Sequence, residues 1–139
     1  MKEEEIKEVL ARHRIRFAKH GTIYGTIIAS VGAYQNGVGE IMHARKDHIL
    51  HFNPDGMTIL AVDDMKGTLC EETLLFIPRE QIVSTDIRVR LFTFLLTIQT
   101  VKGEIRYKLR KNLLGSPWHK ENLAYLLLSS PSQTGEECV

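Results

Sequence analysis

From Lys2 to about Lys19 apolar side chains recur at steps of three and four, as Ile6, Val9, Leu10 and Phe17, with His13 and His20 continuing the series. That spacing gathers them on one helical face. Gly21 is a natural stop. Beyond it the period shortens to alternation in eight runs: 22–34, roughly 38–44, 47–53, 57–63, 73–77, 82–91, 93–101 and 104–110. Short runs at this spacing, separated by turn residues, predict an antiparallel barrel or sandwich. The clearest punctuation is Asn53-Pro54-Asp55-Gly56, where proline presets the turn and glycine supplies a positive φ, so the flanking runs are expected to form a hairpin. Near the end Ser116 offers a capping hydroxyl ahead of Pro117. Trp118, Leu123, Tyr125, Leu126 and Leu127 then predict a second helix over 116–130.

The last three runs can be placed in register from pattern alone. A tight turn at Lys102-Gly103 sets Leu96 opposite Leu109 and Ile98 opposite Tyr107, and one at Phe92-Thr93 sets Ile87 opposite Ile98 and Val89 opposite Leu96. Both registers keep apolar residues on one face, which a one-residue slip would scramble. The other face gathers Arg88, Arg90, Arg106, Lys108 and Arg110, relieved by Asp86, Thr97 and Gln99. These five cations are the candidate interaction surface. Solvated charges on a half-buried sheet are ordinary, but like charges on adjacent strands are mildly costly unless compensated. The acidic stretch "VDDMKGTLCEE" (62–72), read as a loop, is a candidate compensator.

Composition narrows the picture. A chain of 139 residues, 43% hydrophobic and 25% charged, suits one domain: helix 1–20, barrel 21–115, capping helix 116–130 and a flexible tail 131–139. Net charge is only +1, yet residues 40–80 hold eight acids against four bases and residues 86–111 seven bases against two acids. Neither the total nor the dispersed Tyr24, Tyr34, Tyr107 and Tyr125 suggests nucleic acid. Cys70 and Cys138 make no disulfide framework, which predicts reduced thiols and a cytoplasmic setting. The longest uncharged run, 21–39, is too broken by glycines for a membrane span.

Candidate chemistry is sparse. Along one strand His48 and His51 point to opposite faces, and His13 and His20 would lie about 10 Å apart on a helix, so no metal cage is predicted. "GVGEI" (37–41) lacks the third glycine of a dinucleotide fingerprint. Cys70 adjoins Glu71 and Glu72, whose charge disfavours a thiolate. No catalytic residue, cofactor or small-molecule substrate is predicted, and the expectation is a protein that is not an enzyme.

The segments "HILHFNPDGMTILAVDD", "LLFIPREQIVSTDIRV" and "FLLTIQTVKGEIRYKLRK", followed by a C-terminal helix, resemble the bacterial pleckstrin-homology-like (PH-like) domains over about residues 21–130. The resemblance rests on the step Ile77-Pro78-Arg79-Glu80-Gln81-Ile82 and on the hairpin Leu96-Thr97-Ile98-Gln99-Thr100-Val101-Lys102-Gly103. It implies a mainly β fold, a bent antiparallel barrel of about seven strands plugged by the last helix. Eukaryotic relatives bind phosphoinositides through basic residues in the loop between the first two strands. Here that loop, "AYQNGVGE" (33–40), has neither lysine nor arginine. The expected function is therefore a binding or assembly module engaging a protein partner or itself, through the N-terminal helix, sheet edges and the basic row. The alternative is an anionic lipid headgroup on that row. The N-terminal helix is expected either to pack on its own barrel or to pair with another chain.

Overall fold

The computed structural model describes residues 1–32, 45–63, 65–113 and 115–129. The elements run α1 (Glu3–Arg12), β1 (Thr22–Gly32), β2 (Asp47–Asn53), β3 (Gly56–Asp63), β4 (Thr68–Pro78), a 3-10 turn (Arg79–Gln81), β5 (Ile82–Val89), β6 (Thr93–Thr100), β7 (Gly103–Arg110) and α2 (Pro117–Ser129). All seven strands are antiparallel and form one sheet in the order β4-β3-β2-β1-β7-β6-β5. The mainly β class expected from the alternation therefore holds. Closure does not: β4 and β5 are the two ends, with no ladder between them among the described residues, so the sheet is open. The expected 38–44 run and the "GVGEI" turn lie outside the described residues.

β1 joins the two halves of the sheet. Its first part, Thr22–Thr26, pairs with β2, and its second, Thr26–Gly32, pairs with β7, with a bulge at Ile28. A bulge bends its strand and steepens the twist, which helps to fold one half toward the other. The result is a core to which both end strands contribute, Ile77 from β4 and Ile87 from β5, along with Ile23, Leu50, Met57, Leu96, Ile98, Ile105, Tyr107 and Leu109. Leu123 of α2 enters the same core, and Leu126 and Leu127 pack against it, while Tyr125 and Leu128 remain exposed.

A second apolar cluster lies on the opposite face of β2 and β3. There Ile6, Val9 and Leu10 of α1 meet Ile49, Leu60, Val62 and Trp118. The N-terminal helix thus docks on its own sheet. Covered on both faces, β3 is buried from Gly56 through Val62, and its sequence reads as a nearly unbroken apolar run for that reason. β7 is covered on one face only. Ile105, Tyr107 and Leu109 are wholly buried there while Arg106, Lys108 and Arg110 are exposed, the alternation expected of it.

Several local expectations need correction. α1 ends at Arg12 rather than near Lys19, and both Arg14 and His20 take positive φ. Tertiary bonds outcompete the helical period here: the Ala18 amide donates to His51 Nε2 at 3.0 Å, and Phe17 stacks on the His51 ring at 5.2 Å. The helical distance between His13 and His20 therefore has no meaning in the folded chain. The stretch 62–72 is mostly strand, since β3 continues to Asp63 and β4 begins at Thr68. β4 was legible only from Thr73 because its ladder to β3 is interrupted between Ile59 and Ala61. Thr73 Oγ1 patches the gap, accepting from the Ala61 amide at 2.9 Å and donating to the Cys70 carbonyl at 2.6 Å. The Ser116 hydroxyl, expected as a helix cap, instead donates to the Met1 carbonyl at 3.0 Å, which also accepts from Trp118 Nε1 at 2.8 Å.

The last two hairpins are shifted by two residues from the expected registers. Leu96 pairs with Tyr107 and Ile98 with Ile105, through a turn at Val101-Lys102; Ile87 pairs with Leu96 and Val89 with Phe94, through a turn at Leu91-Phe92. A shift of two preserves which face each residue occupies, so the partition into core and solvent survives.

Candidate functional site

The outer face of β5, β6 and β7 carries the five predicted cations, and the pairing arranges them in rows. Starting from the β5–β6 turn, the first row is Arg90, Thr93 and Arg110, with the Arg90 amide bonded to the Thr93 carbonyl at 2.8 Å. The next outward-facing row is Arg88, Leu95 and Lys108, followed by Asp86, Thr97 and Arg106, then Ser84, Gln99 and Glu104. All five cations are exposed. The acids of these rows sit away from the turn. Arg88 Nε donates to Asp86 Oδ2 and Arg106 Nε to Glu104 Oε2, each at 2.9 Å. Gln99 Nε2 donates to Glu104 as well, and these bonds hold the Glu104 carboxyl below its ordinary range. Among the described residues Arg90, Lys108 and Arg110 have no ion pair.

Two open depressions mark this face. One, of about 380 Å³, is lined by Arg88, Arg90 and Arg106 together with Asp86, Glu104 and the polar side chains between them. The other, of about 250 Å³, lies at the turn end, where Arg90 and Lys108 bracket Ile28, Phe94 and Leu95. The structure thus brings Arg88, Arg90 and Arg106 around one hollow, sets Lys108 on the second, and leaves Arg110 beside Thr93.

The expected compensator is engaged elsewhere. Glu71 pairs with Arg12 and His13, and Asp63 lies 3.7 Å from Arg45. Cys70 is buried, and its thiol pKa is pushed up chiefly by that burial, which suppresses the nucleophilic thiolate. Histidines serve the interior. Tyr107 donates to His48 Nδ1 at 2.8 Å, and the His48 Nε2 proton goes to the Arg45 carbonyl. His51 accepts from Ala18 and donates through Nδ1 to Thr22 Oγ1 at 2.7 Å; desolvation pushes its pKa down to about 4. His119, lowered by the same cause, accepts the Tyr24 amide at Nδ1 and donates from Nε2 to the Arg110 carbonyl at 2.6 Å, fixing the end of β7. Among the described residues no three metal-ligating side chains converge.

Pattern reading placed this turn one residue late, at Phe92-Thr93, and overlooked what its side chains offer. Leu91 and Phe92 are 81% and 77% exposed, extreme for large apolar side chains. Their signal was available as two adjacent apolar residues where alternation reverses, with no glycine, asparagine or proline to mark a turn.

No protein-family model, curated protein or solved structure matches this chain. No helix among the described residues is long and apolar enough to cross a membrane.

Proposed function

We propose that this chain is a PH-like binding module without enzymatic activity, whose working surface is the outer face of β5, β6 and β7 and whose partner presents clustered carboxylates or phosphates. The strand order and the entry of Leu123 into the core support the PH-like part of this reading. The observation that carries the binding part is the sorting of charge. Cations gather at the turn end, where Arg90, Lys108 and Arg110 are unpaired among the described residues, while Asp86 and Glu104 occupy the opposite end. A merely solvated sheet face gains nothing from such separation, because interleaved opposite charges are the cheaper arrangement. The apolar face of α1 packs on β2 and β3 of its own chain, so this reading draws on the cationic face rather than on the N-terminal helix.

Titrating the isotopically labelled chain with a short poly-glutamate peptide tests the reading. Amide shifts are expected on β5, β6 and β7 near Arg90, Lys108 and Arg110, weakening as salt is raised. Shifts that are absent, or that map to β2 and β3, would refute it.

A further inference from the structure

The cationic end of the sheet also carries a turn built of two exposed apolar residues. Leu91 and Phe92 project between Arg90 and Thr93; Val89, 61% exposed, lies just before the turn on β5, and Ile28, 52% exposed, shares the second depression with Arg90 and Lys108. Along extended strands at roughly 3.3 Å per residue, Arg90 and Arg110 form the row next to the turn, and Arg88 and Lys108 stand about 7 Å further back, about 10 Å behind the turn residues. Lys111 lies on the same end, its Nζ 5.8 Å from the Phe94 ring. From tip to base the order is apolar, then cationic, then mixed charge.

We infer that this end inserts into an anionic lipid bilayer, with Leu91 and Phe92 entering the interfacial layer and the arginines and lysines behind them meeting acidic headgroups. The inference rests on the binding surface proposed above and names its occupant. Three observations select a bilayer. A protrusion only two residues wide offers little area to a rigid protein surface, whereas a fluid interface closes around it, and aromatic and aliphatic side chains favour that depth. The cations lie where headgroup phosphates and carboxylates would be, and anionic leaflets attract such clusters. A second copy of this face would bring like charges together, which argues against self-pairing. Neither tip side chain belongs to the core, so the fold gives no reason for their chemistry.

The test is sedimentation of the full chain with vesicles of phosphatidylcholine alone or with about 30% phosphatidylserine. The chain is expected to sediment with the anionic vesicles and not with the neutral ones. Replacing both tip residues, Leu91→Ser with Phe92→Ser, should weaken binding more than about tenfold, as loss of two buried apolar side chains requires. Lys108→Glu with Arg110→Glu should weaken it comparably at low salt. A Phe92→Trp variant supplies a readout independent of affinity: its emission should shift to the blue on anionic vesicles, against the background of Trp118, which is already buried. Absence of anionic-vesicle binding, or full binding by the tip variant, overturns the insertion. If the poly-glutamate shifts persist in that event, the cationic surface stands and its occupant is an acidic protein. If the charge-reversal variant binds both probes as the parent does, the surface reading falls too.

Discussion

Hairpin β2–β3 turns through Asn53-Pro54-Asp55-Gly56 and is covered on both faces, whereas hairpin β5–β6 turns through Leu91-Phe92 and is covered on one. The first turn is tied down. Asn53 Oδ1 accepts the Asp55 and Gly56 amides at 2.8 and 3.1 Å, Asn53 Nδ2 donates to the Arg16 carbonyl, and the Arg16 guanidinium grips Asp55. The second has its Arg90–Thr93 bond and two side chains in water. One turn is chosen by folding chemistry and the other departs from it. Such a departure, set among cations, is what the proposed lipid-facing end requires.

Replacing Gly56 with alanine attacks the first hairpin most directly. Its φ is +149°, and a Cβ there would sit 2.1 Å from the Ile77 carbonyl oxygen, so a loss of about 3 kcal/mol or more is expected in urea unfolding. Acid should act on the same hairpin nearly as strongly. His51 is neutral and accepting in the folded chain, with its pKa lowered from 6.5 to about 4, so its contribution is complete above pH 6.5 and drains away as pH falls toward 4. The cost is about 3 kcal/mol, and a flat urea midpoint across that window would contradict it. Thr58 on β3 buries a hydroxyl oxygen with no partner among the described residues, so Thr58→Val should stabilise by about 1 kcal/mol; calorimetry showing a loss would place a bond there. At the second hairpin, Leu91→Asn with Phe92→Gly should leave stability unchanged or raise it by up to about 1 kcal/mol. A larger loss would mean that the tip packs within the fold. Smallest of all, Arg16→Ala should leave the unfolding midpoint where it is, because the pair with Asp55 is solvent-exposed, while hastening amide exchange at Asp55 and Gly56.

The difference between the hairpins also explains what could be read from residues alone. Tyr107 and its neighbours announced a half-buried strand because one covered face imposes strict alternation. The register of β5, β6 and β7 was missed by two because a parity-preserving shift leaves every face intact, and only turn geometry chooses among such shifts. Those turns, Leu91-Phe92 and Val101-Lys102, carry no strong turn residues. The segment 13–20 misled in another way: its apolar spacing continues the helix, but Phe17 and Ala18 find better partners in His51, a contact far away in sequence. Arg88, Arg90, Arg106, Lys108 and Arg110 were placed on one face correctly. Their separation from Asp86 and Glu104 along the rows needed the true pairing.

His119 has a consequence for how the sheet divides. The last rung between β1 and β7 joins Thr26 to Lys108, and two residues further on Tyr24 and Arg110 no longer reach each other. An imidazole occupies the parting, accepting a hydrogen bond from the Tyr24 amide and donating one to the Arg110 carbonyl across a flat ring. Only a side chain with an acceptor and a donor on opposite edges can splice a ladder this way. Asparagine and glutamine, with both at one end, are wrong-shaped substitutes, and the fork between the strands is keyed to histidine.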